Sequence, residues 1–161
     1  MNKEHGVTLA ELLITIGIIA IIASVSAPAF SNIIDKQRLQ GAAERFYAAL
    51  QLTRSEAIKR HTRITLSATI SEDKSWCYAQ SDSGRCDCTV AEQCRIDNIP
   101  SRVTHSSHFK NVQLSSTFAN HSVTFSGTRG GTRAGRYRLT NNGITYQIVV
   151  DALGFPDLIK Q

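Results

Sequence analysis

Four arginines within ten residues are the strongest chemical signal in this chain. They lie in the run Ser126-Gly127-Thr128-Arg129-Gly130-Gly131-Thr132-Arg133-Ala134-Gly135-Arg136-Tyr137-Arg138. A guanidinium is planar, permanently charged and matched to bidentate contact with phosphate oxygens. Gly135 onward reads as a strand, so Arg136 and Arg138 share one face about 7 Å apart, with Tyr137 on the other. Charge along one DNA strand repeats every ~3.4 Å, so such a pair can meet adjacent phosphates. The glycines are expected to leave the loop mobile, letting Arg129 and Arg133 close on the same backbone with help from exposed loop N–H groups. Any one of these arginines alone would read as a solvated strand residue. Four together, in a stretch from 98 to 150 without a single acid, point to a polyanion, and Lys110 is a weaker addition to the set. No aromatic group for stacking on unpaired bases is evident beside them.

The cysteines are the second cluster. Cys77, Cys86, Cys88 and Cys94 are separated by eight, one and five residues. A zinc site favours two close pairs with two to four residues inside each, which this spacing does not supply. Two disulfides stapling a polar loop are expected, in an oxidising compartment. Three pairings are possible, and Cys86 with Cys88 is the least favourable because one intervening residue strains the ring. No G-x-S-x-G, metal-ligand cluster or paired carboxylates accompany them, and His61, His105, His108 and His121 are scattered among Ser and Thr. No catalysis and no cofactor are expected.

These groups need a scaffold. The chain has 161 residues, 42% of them hydrophobic and 19% charged, with a formal charge of +5, which suits one domain and excludes a disordered chain. Leu39, Ala42, Ala43, Phe46, Leu50, Thr53 and Ala57 recur at three- and four-residue spacing. That is an amphipathic helix to about residue 60, with Lys36, Arg38, Glu44, Arg45, Arg54, Lys59 and Arg60 on its solvated face. Residues 62–70 alternate as a half-buried strand, and 76–79, 102–106, 112–115 and 121–125 are further candidates. Strands at 135–140 and 144–150 flank Asn141-Asn142-Gly143, a hairpin turn. The expectation is an α+β fold, a long N-terminal helix packed on a sheet of five to seven antiparallel strands.

The N-terminus completes the picture. After polar residues 1–6, an apolar run leads to Phe30 with Glu11 as its only charge. As a helix, 7–30 is about 36 Å long, enough for a bilayer core of roughly 30 Å with some tilt. The segment Gly6-Val7-Thr8-Leu9-Ala10-Glu11 resembles the cleavage motif of class III prepilins, with Val7 in place of the usual Phe. The resemblance implies that a prepilin peptidase cuts after Gly6, that Val7 is then methylated, and that Glu11 pairs with a subunit's α-amino group during filament assembly. Pro28 falls where pilins often carry a helix-kinking proline. Thr8-x-x-Glu11 is also a helix capping box, a role compatible with the first.

Together with Gly135-Arg136-Tyr137-Arg138, this N-terminus resembles the FimT branch of the GspH/FimT minor pilins, in which a Gly-Arg-x-Arg motif is associated with DNA binding during natural transformation. The organisation implied is a leader (1–6), a membrane and filament-core helix (7–30), and an amphipathic helix with a globular β domain (31–161). The chain would sit in the inner membrane with its globular part periplasmic, then join other pilin subunits at the cell surface. Arg129, Arg133, Arg136, Arg138 and Lys110 would meet DNA phosphates without regard to sequence. The alternative is a minor pilin or type II secretion pseudopilin that primes assembly and binds no DNA.

Overall fold

The computed structural model describes residues 8–161, the side chains of 25–29 excepted. Gly6 and Val7, the expected cleavage point, lie outside the described residues. Helix α1 runs Leu9–Arg60. The strands are β1 (Ile64–Ile70), β2 (Trp76–Ser81), β3 (Arg95–Ile96), β4 (Ile99–Pro100), β5 (Thr104–His105), β6 (Gln113–Ser116), β7 (Ser122–Phe125), β8 (Gly135–Asn141), β9 (Ile144–Val150) and β10 (Pro156–Lys160). The chain divides into two units, Met1–Ile34 and Asp35–Gln161.

In the first unit, Thr8 caps the helix: its hydroxyl accepts from the Glu11 N–H at 3.3 Å. From Leu9 to Ile22 the large apolar side chains are exposed, as are Phe30, Ile33 and Ile34. Among the described residues no helix is long and apolar enough to cross a membrane. The span expected over 7–30 takes in Val7 and the side chains of 25–29, Pro28 included, which lie outside that description.

The second unit holds two four-stranded antiparallel sheets, ordered β5-β2-β1-β7 and β10-β9-β8-β6, and a ribbon of β3 and β4. The α1 residues at helical spacing, Leu39, Ala42, Ala43, Phe46, Leu50, Thr53 and Ala57, are all buried. Phe46 joins the two sheets: its ring centroid is 4.8 Å from Tyr78 on β2 and 4.6 Å from Tyr137 on β8. Burying such a ring is worth about 1.5–3 kcal/mol, so this contact anchors both sheets to one helix face. Tyr137 is fully buried and donates its hydroxyl to the His121 carbonyl at 3.1 Å. Burial pushes its phenol well above the usual range.

Three expectations change. Alternation predicts a half-buried strand at 62–70, but residues 64–68 are buried on both faces. Its polar face is covered by the cysteine loop: Ser67 accepts from the Cys86 N–H at 3.1 Å and Thr69 donates to Asp87 at 3.1 Å. Second, the strand expected at 102–106 shrinks to Thr104–His105. Third, ten strands form among the described residues rather than five to seven, because β3, β4 and β10 carry little alternation of their own. The cysteines pair as Cys77–Cys88 and Cys86–Cys94, so the two loops overlap and staple one polar segment.

Candidate nucleic-acid interface

The β8 strand presents Arg136 and Arg138 outward while Tyr137 and Leu139 enter the core. Alternation requires this, since buried Tyr137 fixes the register and any one-residue slip would bury an arginine. Arg138 faces Ser115 on β6 and Gln147 on β9 in register. Its Nε donates to Gln147 Oε1 at 3.2 Å. Arg136 is held at the backbone: its N–H donates to Thr117 Oγ1 at 2.9 Å, and its carbonyl accepts from the Thr117 N–H at 3.0 Å. Among the described residues, none of Arg129, Arg133, Arg136 and Arg138 makes an ion pair with a carboxylate. Asp157 shares the Arg136 row of the sheet, two strands away through Val149, or roughly 10 Å at ordinary strand spacing. The charge therefore stays largely uncompensated.

The loop before β8 is not the mobile linker its glycines suggest. Its Ser126 and Gly130 close a turn, with the Gly130 N–H donating to the Ser126 carbonyl at 2.9 Å. The Thr132 N–H donates to the Ala152 carbonyl at 3.1 Å. These N–H groups are satisfied internally and are not free to cradle an anion. The glycines serve close approach instead. A Cβ on Gly127 would lie 2.4 Å from the His61 and Thr62 backbone just past α1. Gly154, at φ +83°, packs so tightly under the loop that a Cβ there would overlap the Gly130 carbonyl. The loop is thus clamped between the end of α1 and the turn joining β9 to β10.

The predicted residues do not all converge. Arg133 is exposed beside a cleft of about 500 Å³ lined also by Thr117, Phe118, Thr124 and Ala134. Arg129 is exposed on the clamped loop. Lys110 lies apart, in a cleft of about 760 Å³ at the Asn142-Gly143 end of the β8–β9 hairpin. Arg102 also lies apart, with Arg45 beside α1 and β2. Glu11, in the other unit, is exposed at the start of α1.

Two residues at the clamp were missed. Arg54, expected on the solvated face of α1, turns onto the loop: its Nη2 donates to the Arg129 carbonyl at 3.5 Å. Its guanidinium carbon lies 3.9 Å over the ring of Phe155, a cation–π contact. Phe155 is 54% exposed, and its ring stands against Arg54 and so by the loop that carries Arg129. The only sequence signal was Gly154-Phe155-Pro156, a turn residue and a strand-opening proline around an aromatic.

Comparison with known proteins gives the context. A family model described as type II transport protein GspH matches residues 42–154, and the prokaryotic N-terminal methylation motif matches residues 1–27. Over 39 residues the chain is 46% identical to prepilin peptidase-dependent protein D of Escherichia coli K12, a match covering 24% of this chain and 27% of that protein. The chain thus spans about a quarter of that relative's length. The fold is similar to the type IV minor pilin FimU of Pseudomonas aeruginosa, with TM-score 0.53, 20% identity, and 78% and 90% of the two chains covered. It is also similar to the minor pseudopilin EpsH from the type 2 secretion system of Vibrio cholerae, with TM-score 0.52, 16% identity, and 76% and 97% covered.

Proposed function

Since the chain belongs to the GspH family of minor pilins and pseudopilins, we propose that it is a minor type IV pilin that binds DNA and assists its uptake in natural transformation. One observation carries this reading: Arg136 and Arg138 stand outward on a rigid strand, and with Arg129 and Arg133 they lack any carboxylate partner among the described residues. Subunit assembly alone asks for no such unpaired charge. Contacts to phosphates confer affinity without sequence preference. Lys110 is too far along the hairpin to join the first contacts and is at most an outer neighbour.

In this reading the prepilin peptidase cuts after Gly6 and Val7 is methylated. The apolar start of α1 then passes from the inner membrane into the filament, with the globular unit periplasmic before assembly. Glu11 pairs there with a neighbouring subunit's α-amino group.

The test is a salt titration of duplex binding by the full chain in non-ionic detergent. With three or four phosphates neutralised, log K against log salt should slope at roughly −3 to −4. Replacing either Arg136 or Arg138 with Gln should flatten the slope by about one and weaken binding to unrelated sequences alike. If the double Gln variant binds duplex as well as the parent at matched salt, the arginines are a solvated face and the chain is an assembly-priming pilin.

A further inference from the structure

We infer that Phe155 is a stacking platform for an unpaired base, so that the arginine face takes single-stranded DNA as a ligand in its own right. This rests on the DNA-binding reading and extends it. The turn carrying Phe155 lies against the arginine loop: Gly154 touches Gly130, and the Ala152 carbonyl accepts from Thr132. The following residue, Pro156, pairs with Val150, which pairs with Gly135, so Phe155 lies about two strand spacings from the start of the arginine strand.

Arg54 does two things here. It covers one face of the Phe155 ring at 3.9 Å, which holds the ring in place. It also donates to the Arg129 carbonyl, tying the ring to the backbone of an arm arginine. The Arg54 Nε is buried with no hydrogen-bond partner, so the guanidinium is held by the ring and one long bond. What remains exposed of Phe155 is apolar surface at the clamped loop that carries Arg129, with the Asp151 carboxylate accepting from the Phe155 N–H at 2.8 Å. A duplex offers phosphates to the arginines but keeps its bases stacked inside. A single strand offers phosphates and a free base face together. Base–aromatic stacking accepts any base, which matches a sequence-independent site. A sandwich of Arg54, Phe155 and base also places the cation one layer from the base.

The experiment compares three probes against the full chain in non-ionic detergent: oligo(dT) of about a dozen nucleotides, an abasic strand of equal length and charge, and a duplex of matched length. The parent should bind oligo(dT) roughly five- to tenfold tighter than the abasic strand, the low end of stacking on one aromatic. Phe155→Ala should remove that preference and leave abasic and duplex binding unchanged, and Phe155→Trp should retain it. Circular dichroism of each variant confirms the fold, which an exposed ring outside the core should not disturb. Equal parent affinity for oligo(dT) and abasic strands overturns the inference while leaving phosphate binding intact. So does a Phe155→Ala variant that keeps the preference but fails to enter filaments, which would make Phe155 a subunit contact. If the parent binds none of the probes, the DNA-binding reading falls with it.

Discussion

Arg138 donates across the β8–β9 hairpin to Gln147, and Gln147 is itself only 6% exposed. The amide thus holds one edge of the guanidinium against the sheet, leaving the outer edge directed at solvent. Gln147→Leu should keep the fold, because the position is buried and the shape is similar, while freeing Arg138 to sample other rotamers. Duplex affinity should fall about two- to threefold, a fraction of a charge-assisted hydrogen bond, with the salt slope unchanged because no charge is lost. A slope that flattened by one would mean that Arg138 no longer reaches phosphate at all.

Gly154 should tolerate no side chain. Its φ is +83° and its Cβ would meet the Gly130 carbonyl, a backbone atom that cannot swing aside. Gly154→Ala should cost about 2–4 kcal/mol and lower the unfolding midpoint by roughly 5–15 °C. Gly143, at φ +79° with open space around it, is the control: Gly143→Ala should cost only the left-handed penalty of about 1–2 kcal/mol. Thermal unfolding of the two variants distinguishes clash from conformation.

Reducing the disulfides should separate stability from binding. Cys77–Cys88 and Cys86–Cys94 staple the loop over the β1 face, on the sheet that lacks the arginines. Reduction should lower stability by about 2–5 kcal/mol. Where the reduced protein is still folded, duplex affinity at matched salt should be unchanged. Loss of affinity in step with loss of the thiol cross-links, before global unfolding, would tie the loop to the binding face.

Asp87 gives the same loop an acid sensitivity. The Thr89 N–H and hydroxyl, and then the Thr69 hydroxyl, donate to its carboxylate and hold its pKa below the usual carboxylate value. A lowered folded pKa means that the stabilisation is present above the unfolded value of about 3.9 and disappears as pH falls through the folded one. Acidification below about pH 4 should therefore loosen the loop. Asp87→Asn should show a shallower decline of the unfolding midpoint between pH 5 and pH 2 than the parent.

Glu11→Ala removes the carboxylate at the start of α1 and leaves the Thr8 hydroxyl to cap the helix. The globular unit should keep its midpoint, since Glu11 lies in the other unit. Incorporation into filaments, read by immunoblot of sheared pili, should drop severalfold. Normal incorporation would assign Glu11 to helix capping alone.

The helix from Leu39 to Ala57 and the β8–β9 hairpin were legible because their periods are strong and their burial is local: each core position follows from its neighbours three, four or two residues away. Ser67 misled because the loop that covers it lies about twenty residues on and is held there by disulfides, and Thr65 because its hydroxyl pairs with that of Thr124 on β7. The ribbon at Arg95–Pro100 has an exposed Ile99 and no alternation, so only tertiary pairing defines it. The arginine face was visible as composition, and its strand register as alternation around Tyr137. Its rigidity was not, because a glycine needed for close approach and a glycine supplying freedom are the same letter. Arg54 and Phe155 were hidden for a similar reason: each looks solvated until the fold brings a helix end and a distant turn together.

The clamp on the Gly127–Thr132 turn has a consequence for transplantation. The motif Gly135-Arg136-Tyr137-Arg138 is short enough to graft, yet its loop is shaped by surfaces contributed from His61, Arg54 and Gly154. A host pilin given the arginine segment alone would receive charge without posture. The portable module is instead a discontinuous one: the arginine segment, the last turns of the helix, and the turn before the final strand, moved as a set.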